Sequence, residues 1–397
     1  MSHALKTALD AVLANTVNSA GGAPGVVAMV TDRTDNLYEA AYGLRALGSA
    51  QPMTLDSVML MASCTKAITG VAVMQLVEEG ALSLDDEARR YLPEIAQCQV
   101  LTGFDAAGQP QLRPPTRQIT LRHLMLHTAG FGYEFFSADE QRYRAVAGLP
   151  STLACNFAAI NSVLLHDPGE RWTYGPSIDW LGLIVEKLRG KQLGAVLQER
   201  VFDPLAILDM AFELTPAMRA RLATIHQRAP DGKLTPVPEL GLPQPPTMHM
   251  GGAGLYGSTG EYLKFIRMIL NDGAGPQGQV LRPETVAEMC QNGLGTLHSG
   301  AWQTAAPTLA NSGDFFPGLK KSWAYTFQVN DEDTPTGRPA GALSWAGLAN
   351  CYYWIDRKNG VGGMWCSQIL PFLDMGSYPG YVDFETTVYQ HKRITGA

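Results

Sequence analysis

Two residues three positions apart, Ser63 and Lys66, have the types and spacing of a nucleophile and its base. They open segment 63–79, whose apolar residues recur at helical spacing until Gly80, so we expect both on the first turn of a helix. Residues three apart share a helix face, and the amine can therefore reach the hydroxyl. A serine hydroxyl needs a base at neutral pH, and lysine serves only if its pKa falls well below about 10.4. The pair predicts acyl transfer through an acylated serine.

The surroundings of the pair favour catalysis over a purely structural role. In the structural alternative, Ser63 caps a helix and Lys66 is a solvated first-turn residue. However, this is the only S-x-x-K in the chain, and it lies between apolar segments, where an exposed lysine is out of place. Cys64 is an alternative nucleophile, but no cysteine-enzyme signature surrounds it, and a free cysteine is usually a small buried apolar residue.

Two further elements have residue types that can complete such a site. Tyr174 lies in segment 168–177, a loop that leads into a helical pattern from residue 178. Trp345 and Gly347 lie in segment 344–348, near a late strand, where a glycine allows close approach of the backbone to a ligand. In the structural alternative, the tyrosine is a half-buried aromatic residue whose hydroxyl is hydrogen-bonded, and the tryptophan packs on the core.

Together the S-x-x-K, tyrosine and W-x-G elements resemble the serine β-lactamase and penicillin-recognising fold. Within it the sequence is most similar to family VIII carboxylesterases and their acyltransferase relatives, which share the class C β-lactamase architecture. The phrases LMLHTAG at 124–130, PG at 168–169 and MGGAGLYGST at 250–259 support the resemblance, which covers roughly residues 24–370.

The resemblance implies a role for each element. Ser63 is the acylated nucleophile, Lys66 shuttles its proton, and Tyr174 acts as general base or relay. The backbone N–H groups of Ser63 and Leu348 form the oxyanion hole, and Trp345 lines the acyl or alcohol pocket. The resemblance does not decide whether the lysine or the tyrosine takes the proton first, because such a pair titrates as a unit.

The sequence departs from the β-lactamase pattern at two positions. Pro176 replaces the asparagine of Tyr-x-Asn, and Trp345 replaces the lysine of Lys-Thr-Gly. Proline has no side-chain amide for a β-lactam, and tryptophan has no cation for its carboxylate. Both changes argue against efficient β-lactam hydrolysis.

Other candidate residues are histidines and aromatic side chains. His127 is an alternative base in a Ser-His triad, although its pattern is that of a helix end. His249, beside the glycine-rich loop 251–254, is predicted to line the cleft and contact substrate, as is Tyr133. Further aromatic residues indicate an apolar cleft wall: Phe135, Phe136, Trp302, Phe315 and Phe316. Neither a G-x-S-x-G elbow nor a metal-ligand motif occurs, so we expect no metal and no cofactor.

Composition excludes several classes of protein. The 397 residues carry a net charge of −7 without a basic block, which argues against a nucleic-acid partner. No apolar run approaches the roughly 18 residues that cross a bilayer, and the start of the chain, with Leu5, Leu9, Val12 and Leu13, predicts an amphipathic helix. The six cysteines lack paired spacing, which is typical of reduced thiols in a cytoplasmic protein. Oligomeric state is left open.

Strand patterns occur towards both ends of the chain and helical patterns in the middle. Segments 25–32 and 36–43 predict a hairpin, and segments 322–330, 351–357 and 361–370 predict later strands. Segments 120–127, 178–188 and 193–205 predict helices. We therefore expect an α/β (α+β) fold, with a central antiparallel sheet flanked by helices in residues 1–80 and 235–397. A mostly helical domain, 81–234, is inserted in it, and the active site lies between the two.

The sequence thus predicts a serine carboxylesterase that hydrolyses short- to medium-chain carboxylic esters of small molecules through an acyl-enzyme on Ser63. Three alternatives remain open. The acyl-enzyme could pass its acyl group to another alcohol or an amine, the chain could be a weak β-lactamase, or it could be a penicillin-recognising relative that binds without turnover.

Overall fold

The computed structural model describes residues 2–395, which form twelve α-helices and several single-turn segments. The helices are α1 (His3–Asn18), α2 (Thr65–Glu78), α3 (Leu121–Met125), α4 (Ala138–Ala147), α5 (Phe157–Ile160), α6 (Ser177–Arg189), α7 (Leu193–Leu197), α8 (Asp203–Leu205), α9 (Pro216–Ala220), α10 (Thr259–Leu270), α11 (Pro283–Met289) and α12 (Tyr378–Thr395). Short 3₁₀ turns occur at Ala62–Cys64, Ala88–Arg90, Pro93–Gln97 and Thr152–Ala154, and a π-helical turn, Gln198–Phe202, joins α7 to α8.

Seventeen strands are described over the same residues. They are β1 (Gly25–Thr31), β2 (Asn36–Gly43), β3 (Val58–Leu60), β4 (Val100–Phe104), β5 (Pro110–Arg113), β6 (Met210–Ala211), β7 (His226–Arg228), β8 (Leu234–Pro236), β9 (Tyr256–Ser258), β10 (Ala274–Gly275), β11 (Gly278–Gln279), β12 (Lys321–Trp323), β13 (Gln328–Asn330), β14 (Leu343–Gly347), β15 (Cys351–Asp356), β16 (Val361–Cys366) and β17 (Ile369–Leu370). The largest sheet is antiparallel and has the order β12-β13-β14-β15-β16-β1-β2.

The large sheet joins the two ends of the chain. Strand β1 pairs with β2 as the predicted hairpin, with Val27 opposite Ala41, and with β16, with Val27 opposite Cys366. All seven residues of β1 are buried, because α10 packs on β1 and β16 while α1 packs on β1, β2 and α12. Leu9 and Leu13 of α1 are fully buried, as the amphipathic pattern predicts. The predicted α/β fold with an antiparallel sheet is confirmed.

A small sheet, β3-β9-β6, fixes the position of the nucleophile. After β3 the chain enters the turn Ala62–Cys64 and then α2, where twelve of fourteen residues are buried. Leu255 holds both sides of this turn: its carbonyl accepts from the Met61 N–H at 2.9 Å, and its N–H donates to Thr65 Oγ1 at 3.1 Å. Ala62 has a φ of +45°, an unfavourable value for a residue with a Cβ, so the surrounding contacts hold the backbone strained beside Ser63.

Some sequence expectations differ from the structure. Segment 322–330 is not one strand but the hairpin β12–β13, in which Trp323 lies opposite Gln328. Segment 193–205 is broken by the π-helical turn, and the hairpin β4–β5 lies within the predicted helical domain. Strands β6 and β7, also within 81–234, pair with β9 and β17, which lie outside it. The division into two domains therefore stays a prediction.

Over residues 2–395, no helix is both long and apolar enough to cross a membrane. The six cysteines are free and buried.

Candidate active site

Lys66 lies at the centre of the candidate site and is fully buried. Its Nζ lies 3.2 Å from Ser63 Oγ, and it donates to the Gly252 carbonyl at 2.7 Å and to Tyr133 Oη at 3.0 Å. A neutral amine has two N–H bonds and one lone pair. Two of the three neighbours accept its N–H bonds, which leaves the lone pair available for the Ser63 hydroxyl. This arrangement suits a base that removes the proton from Ser63.

The electrostatic environment of Lys66 favours its neutral form. Burial lowers the pKa of the Lys66 amine, and the charge of the nearby Asp179 carboxyl opposes this shift. Burial likewise raises the pKa of Asp179, while the charge of Lys66 and the Gly252 N–H lower it. Asp179 Oδ1 accepts from the Gly252 N–H at 2.8 Å, so the Gly252 peptide links the carboxyl to the amine.

Tyr174 brings a phenol to the same place. Burial raises the pKa of Tyr174, whereas hydrogen bonding to Ser63 and to Trp345 opposes the rise. The Trp345 indole Nε1–H donates to Tyr174 Oη at 2.9 Å, which leaves the phenol proton free to be donated. Lys66 Nζ lies 4.8 Å from the centre of the Tyr174 ring. The structure therefore brings the predicted Ser63, Lys66 and Tyr174 together.

Trp345 lines a cavity at Ser63, as predicted, and it also makes a hydrogen bond to Tyr174 that the sequence did not indicate. It was expected to line a pocket, which it does, and its indole N–H also binds the Tyr174 oxygen. Its ring packs at 4.5 Å from Trp323 and 4.9 Å from Tyr174, measured between ring centres. A neutral donor thus occupies the position where the β-lactamase pattern has a cation.

Tyr133, expected to contact substrate, is bound to the base as well. Its hydroxyl accepts from Lys66, and its ring lies 5.2 Å from that of Tyr174. Burial raises the pKa of Tyr133 well above its usual value, which keeps it a phenol. Tyr133 also lines one of two cavities at Ser63, so substrate contact remains compatible with its position.

Two cavities meet at Ser63, and Phe135 and Leu348 form part of both walls. The aromatic cavity has an empty volume of about 400 Å³, and its other lining residues are Phe136, Trp172, Tyr174, Trp302, Trp345, Ala346 and Phe372. The aliphatic cavity has an empty volume of about 660 Å³ and is lined mainly by leucine, isoleucine, methionine and alanine, with Tyr133 and Thr152. Phe135, Phe136 and Trp302 thus form a cleft wall as the sequence indicated, and residues 240–242 line the aliphatic cavity.

Leu348, expected in the oxyanion hole, borders both cavities next to Ser63. Gly347 has a different role from the one predicted. A Cβ on Gly347 would lie 2.3 Å from the Met61 carbonyl oxygen, so the glycine lets β14 approach the backbone that carries the nucleophile. It thereby sets the distance between Leu348 and Ser63 and does not itself line either cavity.

His249 is the site prediction that the structure does not support. Its ring stacks on Phe212 at 4.6 Å, and its Nδ1 accepts from the Gly194 N–H at 3.0 Å. It lines neither cavity at Ser63, although the next residue, Met250, lines the aliphatic one. His249 therefore packs against Phe212 and the Gly194 backbone and not on either cavity wall at Ser63.

The alternative nucleophile and the alternative base are both deeply buried. Burial raises the pKa of the Cys64 thiol well above its usual value, which suppresses the thiolate. His127 packs between Trp172, Tyr174 and Trp323, and burial lowers its pKa well below the usual range. Neither ring nitrogen of His127 has a hydrogen-bond partner among the described residues. It supports Tyr174 through its ring and is not placed as a base for Ser63.

Asp179 and Gly252 belong to the candidate site through their link to Lys66, and sequence reasoning singled out neither of them. A Cβ on Gly252 would lie 2.6 Å from Asp179 Oδ2, so only glycine leaves space for this carboxyl. The available signal was a carboxylate five residues after Tyr174 in the first turn of a predicted helix. Among residues 2–395, no group of three or more His, Cys, Asp or Glu side chains is arranged to hold a metal ion.

Comparison with known proteins gives matches over nearly the whole chain. Residues 8–385 match the beta-lactamase family. A lovastatin esterase from Penicillium rubens is 33% identical over 367 residues, which cover 87% of this chain and 89% of that protein. A monacolin J acid methylbutanoyltransferase from Aspergillus terreus is 31% identical over 366 residues, 88% of each chain.

Solved structures also match the chain over nearly its whole length. A mutant of simvastatin synthase from Aspergillus terreus superposes with a TM-score of 0.85 at 30% identity, covering 98% of this chain and 96% of that one. EstCE1, described as a hydrolase with promiscuous acyltransferase activity, has a TM-score of 0.78 at 21% identity, covering 97% of this chain and 98% of that one, a likeness of fold.

Proposed function

The chain belongs to the beta-lactamase family and is a serine hydrolase, and we propose that it cleaves short- to medium-chain carboxylic esters through an acyl-enzyme on Ser63. The observation that carries the proposal is the contact of 3.2 Å between Lys66 Nζ and Ser63 Oγ at the junction of two apolar cavities. Relatives named as an esterase and as an acyltransferase support the same chemistry.

In the proposed acylation step, Ser63 Oγ attacks the ester carbonyl carbon while the neutral Lys66 amine accepts the hydroxyl proton. The carbonyl oxygen becomes an oxyanion, which accepts hydrogen bonds from the backbone N–H groups of Ser63 and Leu348. As the C–O bond to the alcohol breaks, Tyr174 gives its proton to the departing oxygen. The proton held by Lys66 then restores the Tyr174 phenol.

Deacylation uses the same groups in the reverse direction. Water, aligned by Tyr174, attacks the acyl carbon and gives its proton to the Lys66 and Tyr174 pair. The bond to Ser63 Oγ then breaks, the serine recovers its proton, and the carboxylic acid is released. Tyr133 and the Asp179–Gly252 link hold the Lys66 amine in position and are positioning residues in this scheme.

The proposal is tested by the substitution Ser63→Ala, with p-nitrophenyl butyrate as substrate and a fluorophosphonate as covalent probe. We expect hydrolysis to fall to background and the probe to label the native chain but not the variant, as measured by intact mass. Ser19→Ala, an exposed serine at the end of α1, is the matched control and should hydrolyse and label like the native chain. Undiminished hydrolysis in Ser63→Ala would contradict the proposal, and so would binding of esters without turnover by the native chain.

Acyl transfer to a second alcohol is the alternative that a specific observation favours. The cavity walls at Ser63 are overwhelmingly apolar, which limits the water near the acyl-enzyme, and one relative is named a methylbutanoyltransferase. The two outcomes differ only in deacylation. With increasing butanol, a transferase forms the butyl ester faster than free acid, whereas an esterase continues to release mainly acid.

A β-lactamase function receives no support from the cavity walls. None of the residues that line the two cavities carries a charge, so a β-lactam carboxylate would be desolvated there without a cationic partner. We expect nitrocefin hydrolysis to be at least about 100-fold slower than ester hydrolysis, because Pro176 and Trp345 replace the asparagine and the lysine of the β-lactamase pattern.

We also propose a cytoplasmic location and a small-molecule ester as the partner. Six free cysteines, all buried, support a reducing compartment. The expectation of no nucleic-acid partner rests on the charge of −7 and stays a prediction.

A further inference from the structure

The two cavities at Ser63 differ in the chemistry of their walls. Aromatic rings dominate one, among them Phe136, Trp302 and Phe372, whereas branched aliphatic side chains such as Leu240 and Ile225 dominate the other. A flat ring gains from stacked and edge contacts with aromatic walls, while a flexible alkyl chain is accommodated by branched side chains. The two halves of one substrate would therefore meet different environments.

The position of the proton donor indicates which half enters which cavity. The departing alcohol oxygen must receive a proton, and Tyr174, the phenol in contact with Ser63, lines the aromatic cavity. Tyr133 lines the aliphatic cavity, but its hydroxyl contacts the Lys66 amine at 3.0 Å, whereas the Tyr174 hydroxyl is hydrogen-bonded to Ser63 itself. The alcohol half of the ester is thus directed to the aromatic cavity, and the acyl chain to the aliphatic one.

We propose that the preferred substrates are uncharged esters of an aliphatic acid with an aromatic or other flat cyclic alcohol. The acyl chain occupies the aliphatic cavity and the ring of the alcohol occupies the aromatic cavity. This inference rests on the proposed function of Ser63. The absence of charged side chains among the lining residues excludes a charge close to the scissile bond, because the charge would lose its hydration without compensation.

The test compares two isomeric esters, benzyl hexanoate and pentyl phenylacetate, which have the same atoms and opposite arrangement. We expect kcat/KM to be at least about tenfold higher for benzyl hexanoate, the discrimination typical of apolar pockets that differ in shape. Within benzyl esters, kcat/KM should rise from acetate to hexanoate by up to about fourfold for each methylene group that is buried. A ratio below about threefold, or a preference for pentyl phenylacetate, would overturn the assignment.

A pair of variants locates the effect in the cavity. Leu240→Trp narrows the aliphatic cavity and should lower the ratio of hexanoate to acetate activity by about tenfold. Leu208→Trp, at a leucine that is 86% exposed and lines neither cavity, should leave that ratio unchanged. Comparing kcat/KM for benzyl esters of several acyl-chain lengths thus reports directly on the aliphatic cavity. A Leu240→Trp variant that melts like the native chain and retains the native ratio would overturn the assignment.

The outcomes distinguish this inference from the proposed function. If the native chain is labelled by a fluorophosphonate at Ser63 and hydrolyses p-nitrophenyl butyrate but prefers pentyl phenylacetate, the esterase assignment stands and the cavity assignment fails. If labelling and hydrolysis both fail, the proposed function itself is wrong.

Discussion

The substitution Trp345→Phe isolates the hydrogen bond between the Trp345 indole and the Tyr174 oxygen. The bond is 2.9 Å long, and phenylalanine removes the N–H while keeping an aromatic ring between Trp323 and Tyr174. The indole stabilises the phenolate that forms when Tyr174 gives its proton to the alcohol. Its loss should therefore slow the step in which the alcohol departs.

The expected loss of rate follows from the charge on the Tyr174 oxygen, which accepts the hydrogen bond. A hydrogen bond to a charged group contributes about 1.5–3 kcal/mol, and each 1.36 kcal/mol is tenfold in rate. Because the phenolate is only partly formed in the transition state, we expect the lower part of that range, roughly a 10- to 50-fold loss of kcat/KM. Loss of the larger ring should also cost about 1–2 kcal/mol of unfolding free energy, from the cavity left behind.

The assay compares an alkyl ester with a p-nitrophenyl ester, using kcat/KM because it reports on acylation. An alkoxide is a poor leaving group and needs the proton, whereas p-nitrophenolate leaves without one. The loss should accordingly be large for butyl butyrate and below about threefold for p-nitrophenyl butyrate. Trp302→Phe is the matched control, since Trp302 lines the same cavity but its indole donates to the Asn311 carbonyl.

A double-mutant cycle with Tyr174→Phe decides how Trp345 acts. Tyr174→Phe alone should lower kcat by at least about 100-fold with the fold intact. If the indole acts through the phenol, Trp345→Phe adds almost nothing in that background. Equal losses for the two ester types, or a full additional loss in the Tyr174→Phe background, would refute the reasoning and reduce Trp345 to a packing residue.

Further predictions concern the base and its support. Burial lowers the pKa of Lys66, and the neutral amine is the active form, so kcat/KM should rise with pH and level off well below pH 10. A pH profile of kcat/KM that still rises around the usual lysine pKa of about 10.4 would contradict this. Gly347→Ala should reduce kcat at least about tenfold and lower the melting temperature, because its Cβ would lie 2.3 Å from the Met61 oxygen. The control Gly260→Ala, at a glycine of α10 whose added Cβ would lie 3.7 Å from its nearest neighbour, Met29 Sδ, should keep both values. Tyr133→Phe removes one acceptor of the Lys66 amine and should lower kcat about 5- to 30-fold with little change in melting temperature; an unchanged kcat would exclude a positioning role.

Sequence reasoning predicted those parts of the site that depend on local spacing. The contact of Ser63 and Lys66 follows from three positions on one helical turn, and the structure retains it although the serine lies in a 3₁₀ turn just before α2. Tyr174 lies 111 positions from Ser63, and only the resemblance to a known family linked them. The hairpin of β1 and β2 was predictable because two β-rich segments flank an evident turn at residues 33–35.

The parts that were missed depend on how distant loops converge. The Gly252 carbonyl binds Lys66 only because loop 251–255 runs along the start of α2, a placement that no local pattern encodes. His249 was expected at the cleft because it adjoins that loop in sequence, but side chains of neighbouring residues point in different directions, and Met250 lines the cavity instead.

The broken strand 322–330 has a similar cause. Its turn places Thr326 at a φ of +75°, a conformation usually signalled by glycine or asparagine, and here neither is present. Tertiary pairing with β14 stabilises a turn that the local sequence disfavours.

The aromatic cavity also gives this protein an intrinsic optical reporter. Three of the seven tryptophans, Trp172, Trp302 and Trp345, line that cavity, so a molecule that enters it displaces solvent from several indoles at once. Occupancy should consequently alter the emission intensity and wavelength of the native chain without any added dye. Affinities for alcohols and unreacted esters can then be titrated by fluorescence in a catalytically silent Ser63→Ala protein.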